Sequence, residues 1–131
     1  MSSFTNYTEN LALTYLFNTG SVTRPTAWFV GLFTAAPSDS GGGTEVTGSG
    51  YSRVSAGTIS GSGTATTFTN AAAIEFGAAS GGDWGTIGWA AIFDASTGGN
   101  MLAWAPLTTA KAINDGDIFR IPANSLSITL S

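Results

Sequence analysis

Four aspartates, Asp83, Asp94, Asp115 and Asp117, are the residues best suited to chemistry in this chain. Two carboxyl groups facing each other across a cleft can serve as general acid and base, as in glycoside hydrolysis. Each of the four sits in a glycine-containing turn, where an Asp side chain accepts hydrogen bonds from local backbone N–H groups. Their placement therefore predicts turn residues and no catalytic pair. Asp115-Gly116-Asp117 also offers hard oxygen ligands, but a calcium loop of the EF-hand type needs further carboxylates and a bidentate Glu, which are missing. Gly41-Gly42-Gly43-Thr44-Glu45 lacks the Lys of a phosphate-binding loop and opens no obvious helix. The chain has no His and no Cys. Imidazole-dependent nucleophilic mechanisms are thereby excluded, as are disulfides and Cys- or His-based zinc, haem and iron–sulfur sites. A Ser–Lys mechanism would depend on Lys111, the only Lys, which falls in a polar connection between predicted strands. The expectation is a protein that is not an enzyme, with no metal and no cofactor.

Binding residues are more promising. Of four tryptophans, Trp84 follows Asp83 in a turn, which makes Asp83-Trp84 the predicted exposed aromatic site. Trp28, Trp89 and Trp104 lie in strand patterns and are expected in the core, where aromatic burial contributes most. Arg53 and Arg120 lie within strands, and a half-buried Arg in a charge-poor protein pairs with a carboxylate; Glu45 and Glu75 are the candidate partners. Asn6-Tyr7-Thr8 matches a glycosylation sequon, which carries no weight without a secretory signal. The net charge is −4 and only four residues are basic, which argues against a nucleic-acid surface. No apolar run approaches the ~18 residues of a membrane helix. Met1-Ser-Ser-Phe-Thr5 has neither the basic nor the apolar region of a signal peptide, so synthesis in a cytoplasm is expected.

The elements that must position these residues are mostly strands. Phe4, Tyr7, Leu11 and Tyr15 recur at helical spacing and predict one helix over 6–18. Asn6 and Glu9 resemble a capping box, and Asn18-Thr19-Gly20 suits a left-handed C-cap. Residues 27–34 read as a strand apolar on both faces, hence central. Weaker strands are expected around 51–54 and 67–76. Ile87, Trp89, Ala91 and Phe93 alternate on one face of a strand that returns, after a turn at 94–100, as Met101–Leu107. Pro106 places the end of that second strand at an edge or terminus. Strands at 118–122 and 126–130 complete the set, the last with Leu126, Ile128 and Leu130 inward. The charged fraction is only 9% while aromatics reach 11%, a composition of folded chains. Six or seven short strands with Gly-rich turns predict a mainly β, single-domain antiparallel β-sandwich or barrel-like fold over 1–131, with one N-terminal α-helix and a β-rich body from about 26. The Gly-rich stretches 38–50 and 55–66 are expected to be extended loops.

Several stretches in fixed order resemble a family of small virion structural proteins of tailed phages. They are Trp28-Phe-Val-Gly-Leu-Phe-Thr-Ala-Ala-Pro-Ser-Asp-Ser-Gly-Gly-Gly-Thr-Glu-Val46, Gly48-Ser-Gly-Tyr-Ser-Arg-Val54, Asp83-Trp-Gly-Thr-Ile87, Ile92-Phe-Asp-Ala-Ser-Thr-Gly-Gly-Asn-Met-Leu-Ala-Trp104, Asn114-Asp-Gly-Asp117 and Leu126-Ser-Ile-Thr-Leu130. Members are usually labelled tail fibre or minor structural protein. The resemblance covers Leu11 to Leu130. A fibre shaft usually shows long repeats or heptads, and this chain shows neither. The resemblance therefore implies a capsid decoration (cement) protein on the virion, bound to the major capsid protein and to copies of itself as a homotrimer. It would stabilise the assembled shell by mass action. Ser38, Asp39, Ser40, Gly41, Gly42, Gly43, Thr44 and Glu45 form the expected assembly-contact loop. The alternative is a tail fibre or minor tail protein that binds a host-surface glycan through Asp83 and Trp84. A carboxylate hydrolase is the third reading.

Overall fold

The computed structural model describes residues 3–18 and 20–130. Thr5 ends the first strand and begins the helix. β1 (Ser3–Phe4) leads into α1 (Asn6–Phe17), whose N-cap is Thr5: its hydroxyl accepts from the Thr8 N–H. The capping box expected at Asn6 and Glu9 is thus displaced by one residue, because Thr5 already holds the extended dihedrals of a cap. Asn18 closes the helix in an extended conformation, with its N–H donating to the Thr14 carbonyl. The predicted left-handed cap is therefore not made at Asn18; the Thr19 part of that expectation lies outside the described residues.

The body is built on an open six-stranded antiparallel sheet in the order β1-β9-β8-β2-β3, with β4 also on β2. Its long members are β2 (Phe29–Ala35), β8 (Gly85–Phe93) and β9 (Met101–Ile113). β3 (Thr44–Glu45) and β4 (Val54–Ser55) share the outer edge of β2, which makes β2 central as predicted. β10 (Arg120–Ile121) pairs β7 (Ile74–Glu75), and β11 (Ser127–Thr129) pairs β6 (Thr67–Asn70), which pairs β5 (Ile59–Ser60). The fold is mainly β with one helix and no closed barrel.

Alternation along β2 explains the two apolar layers. Val30 and Leu32 face a main core with Ile74, Phe76, Trp84, Ile87, Ile113 and Phe119, which draws the small sheets onto one face of the large one. Phe33 faces the other side, with Ala91 and Phe93. Trp89, Ala91 and Phe93 share that second face as expected, but Ile87 does not. The β8–β9 register slips between Ile87, opposite Lys111, and Trp89, opposite Pro106. Such a bulge turns the side chains that follow it to the other face.

Pro106 lies inside β9 rather than at its end. β1 covers β9 only at Ala103 and Trp104, so the missing N–H of Pro106 falls beyond β1 and beside the bulge, both of which tolerate Pro. Lys111 consequently lies in a strand, not in a connection. At the C-terminus Leu126 packs against the core but Leu130 is largely exposed, because β11 stops at Thr129. The stretch 55–66 is likewise not one loop, since β5 interrupts it.

Candidate functional site

The buried centre of the site is an ion pair in a place where charge is costly. Arg53 and Glu45 meet in a fork: Arg53 Nε donates to Glu45 Oε2 and Nη2 to Oε1, both at 2.9 Å. Arg53 Nη1 also donates to the carbonyls of Ala95 (3.0 Å) and Gly98 (2.8 Å). Its guanidinium carbon lies 3.4 Å from the centre of the Phe93 ring, a cation–π contact. The Arg53 side chain is 10% exposed, and each of its three nitrogens has a partner where desolvation would otherwise be expensive. One residue thereby ties β3 and β4 to the 94–100 turn. The other candidate carboxylate, Glu75, meets Arg120 at 3.7 Å in a longer, solvent-exposed pair that contributes little.

Tyr51 completes this cluster. Its hydroxyl accepts from the Leu32 N–H (2.9 Å) and donates to Glu45 Oε2 (2.7 Å). Gly31 is required beneath it, because a Cβ there would lie 2.7 Å from Glu45 Oε2 and 3.0 Å from Phe93. Burial, reinforced by the hydrogen bond and charge of Glu45, pushes the Tyr51 phenol well above the ordinary tyrosine value. In the folded state the phenol therefore keeps its proton where the unfolded chain has lost it. The stability this provides is complete below the unfolded tyrosine value of about 10 and declines as pH rises above it. Urea midpoints measured from pH 8 to 11 should fall at the alkaline end for the native chain. The pH slope should be shallower in Tyr51→Phe; an unchanged slope would reject this account.

Above the ion pair opens a cleft of about 510 Å³. Phe33 and Phe93, stacked with ring centres 6.1 Å apart, lie below it with Arg53 and Glu45. Three segments form its walls: the first turn of α1 with Asn6 and Tyr7, the loop Asp39–Gly43, and the end of the 94–100 turn with Asn100 and Met101. The walls are tied together. The Asn6 N–H donates to the Asp39 carbonyl at 2.8 Å, and the indole N–H of Trp104 reaches Asp39 Oδ1 at 3.4 Å. Ser38 and Gly41 exchange backbone hydrogen bonds of 2.8 and 2.9 Å. Gly43 has φ +77°, and a Cβ there would lie 2.9 Å from the Ala35 carbonyl, so the loop needs glycine to fold back over β2. Asp94 Oδ1 accepts from the Asn100 N–H (2.7 Å) and Oδ2 from its side-chain amide (3.0 Å).

The predicted contact loop is therefore two different things. Ser38, Asp39, Ser40, Gly41, Gly42 and Gly43 form a pinned turn, five of them on the cleft wall. Thr44 and Glu45 belong to β3, and the Glu45 carboxylate is committed inward. The wider stretch 38–50 is no free arm either: Val46 is buried, and the Ser49 carbonyl accepts from the Trp84 indole at 2.9 Å.

Asp83-Trp84 is not an exposed aromatic site. Trp84 is 5% exposed and meets Tyr51 and Phe76 edge to face; the turn in which it lies folds inward to bury an apolar ring. Asp83 Oδ1 accepts from the Asp115 N–H at 2.8 Å, and Asp117 Oδ2 from Asn114 N–H at 2.9 Å, so these aspartates and Asp94 hold turns. Trp28, Trp89 and Trp104 are only half-buried: Trp28, just before β2, packs on the rim of the main core, and Trp89 and Trp104 on the small second cluster. Among the described residues, no three His, Cys, Asp or Glu side chains gather as metal ligands. No helix there is long and apolar enough to cross a membrane. The sequence reading missed the cleft because its walls come from three distant segments. Two signals touched it: the strand arginine Arg53 with Glu45 as a candidate partner, and the Gly-rich loop, of which Asp39–Gly43 line one wall.

The arrangement is a small antiparallel β domain with a preformed surface cleft. The chain matches the family model described as Podophage GP4 fiber I protein gp80 over residues 3–129, and it belongs to that family. It is a phage virion structural protein of fibre type. No curated protein matches the chain.

Proposed function

We propose that this protein is a tail-fibre component that binds a host-surface glycan in the cleft bounded by Asn6, Tyr7, Asp39 and Asn100. The observation that carries the reading is the cleft itself, in a chain of fibre-family membership. The family description supports a fibre more than a capsid decoration role.

Sugar rings offer apolar C–H faces and a ring of hydroxyls. They are held by an aromatic or thioether surface together with amides, carboxylates and hydroxyls. Tyr7 and Met101 supply the first; Asn6, Asp39, Ser40 and Asn100 supply the second. The cleft volume lies within the roughly 300–1,000 Å³ of small-ligand sites. Its cross-tied walls lower the ordering cost of binding. The wall carboxylate Asp39 and the neutralised Arg53–Glu45 pair favour a neutral or amino sugar over an anionic one. We assign no covalent step to the site, and the reading is of a binding protein, not an enzyme.

The test is titration of the full chain with host envelope polysaccharide, alongside a glycan array. Saturable binding is expected, with Tyr7→Ala and Asp39→Ala each weakening it about tenfold, the effect of a ~1.4 kcal/mol contact. Absence of binding on both platforms, or binding indifferent to both substitutions, rejects the cleft as a glycan site.

A further inference from the structure

We infer that Thr5 is the positioning residue of the cleft: it latches β1 and α1 onto the body as one arm, and the wall made by Asn6 and Tyr7 stands only while that arm is docked. Thr5 and Asn70 are the two buried polar residues among those described, and Thr5 is 2% exposed. It sits at the joint between β1 and α1. Its hydroxyl donates to the Met101 carbonyl at 2.6 Å, and its N–H to the Leu102 carbonyl at 3.1 Å. Thr8, one turn on, donates its hydroxyl to the same Leu102 carbonyl at 2.7 Å, which occupies both lone pairs of that oxygen. The Asn6 N–H adds the bond to the Asp39 carbonyl.

Every hydrogen bond that fastens the arm lies in residues 3–8. β1 pairs with β9 at two positions. None of the twelve residues of α1 is buried, and among the described residues no hydrogen bond joins positions 9–18 to the sheets. From Gly20 to Trp28 the chain forms neither helix nor strand. Its next hydrogen bond to the body is at Trp28, whose carbonyl accepts from the Ala56 N–H at 2.8 Å.

The arm is therefore weaker than the sheet it leans on. A short helix with no buried residue is marginal in water by itself, so it takes its order from the latch. β8 is paired on both sides, by β2 and by β9, and opens only when the domain unfolds, whereas elements with few buried contacts open first. Opening carries Asn6 and Tyr7 away from Asp39 and Asn100 and leaves the cleft with two walls in place of three. The dock and the cleft also share a residue, because Met101 accepts the Thr5 hydroxyl and lines the cleft. A ligand that touches all three walls binds only the docked form, so binding and docking strengthen each other. That coupling rests on the glycan reading of the cleft; the latch does not.

Native-state hydrogen exchange of the full chain tests the latch without a ligand. The amides of Thr5 and Asn6, both bonded to the body, should exchange faster than those of β8; fraying at the far end of α1 does not expose them. Ile87 is fully buried in the core, and Ile87→Val should speed β8 exchange about fivefold, the equivalent of ~1 kcal/mol. The Thr5 and Asn6 amides should keep their native rates in that variant, because the open arm leaves the core intact. Thr5→Val should speed exchange of the Asn6 amide about tenfold, and Thr5→Ser, which keeps the donor, should hold the native rate. With host envelope polysaccharide at a hundred times its Kd, the two arm amides should slow about a hundredfold. Arm amides that track β8 in Ile87→Val overturn the latch, as does an Asn6 amide indifferent to Thr5→Val. Arm amides that ignore bound polysaccharide while β8 slows overturn the coupling. A chain that binds no polysaccharide rejects the glycan reading alone. Were Thr5→Val to lose its fold, Ile87→Val would still decide the latch.

Discussion

Replacing Arg53 with Ala should lower the unfolding free energy by about 3–5 kcal/mol, the penalty for stranding one member of a buried ion pair. That is a large share of the roughly 5–15 kcal/mol available to a domain. The cost has named parts. Glu45 would keep its charge with only Tyr51 to hydrogen-bond it, the carbonyls of Ala95 and Gly98 would lose their donors, and Phe93 would lose the cation above its ring. Arg53→Lys should recover little, because an ammonium cannot fork to both Glu45 oxygens and also reach the turn. The double variant Glu45→Gln/Arg53→Met should be less destabilised than the two single changes added together, by about 0.5–3 kcal/mol of coupling. The amide still accepts from Tyr51 and no charge is left buried. Urea unfolding followed by tryptophan fluorescence measures the native chain, the four single variants and the double variant. An Arg53→Ala midpoint indistinguishable from the native one would contradict the account. Because Arg53 also fixes the 94–100 turn, glycan binding should weaken in step with the loss of order there.

That pair was legible in the sequence because charge is scarce. With only four basic residues, a half-buried Arg in this chain stands out, and the two candidate carboxylates, Glu45 and Glu75, are the ones that Arg53 and Arg120 meet. The helix and the strands at β2, β8 and the start of β9 were legible for a similar reason: their apolar residues repeat at a fixed period. What failed was everything set by register. The face of Ile87 and the position of Pro106 depend on a bulge between two strands, and nothing in either strand alone announces it. The burial of Trp84 depends on Ser49, thirty-five residues away, receiving its indole N–H. The cleft was illegible for the same reason, since Asn6, Asp39 and Asn100 are brought together by pairings that no local pattern encodes. The periodicity of α1 was read correctly, yet it was misleading about burial. Its apolar residues repeat at the helical period, yet none of its twelve residues is buried.

Asn70 is the second position where a large loss is expected, and composition gave no hint of it. It is fully buried. Its side-chain amide donates to the carbonyls of Ala72 (2.8 Å) and Pro122 (3.0 Å), and its Oδ1 accepts from the Leu126 N–H (2.9 Å). Its backbone carbonyl accepts from the Asn124 N–H at 2.9 Å. A single side chain thus fastens the segment leading into β11 to the end of β6. Asn70→Ala would leave three backbone groups without partners, each worth about 1–3 kcal/mol when stranded. A total of about 3–5 kcal/mol is therefore expected. Asn70→Asp is nearly isosteric and should be as damaging at pH 7, because a carboxylate would face the Ala72 and Pro122 carbonyls with no proton to donate. The introduced carboxyl should have a raised pKa in the folded state, so this variant, unlike Asn70→Ala, should gain stability as pH falls toward the carboxyl range. Amide hydrogen exchange locates the damage. Protection should drop first at 126–130, whose β11 pairs only with β6, while β8 amides follow global unfolding. Equal loss of protection in β8 and β11 would mean that the clamp is not local. The pH arm would then separate a stranded hydrogen bond from a simple packing defect, since only the former responds to protonation.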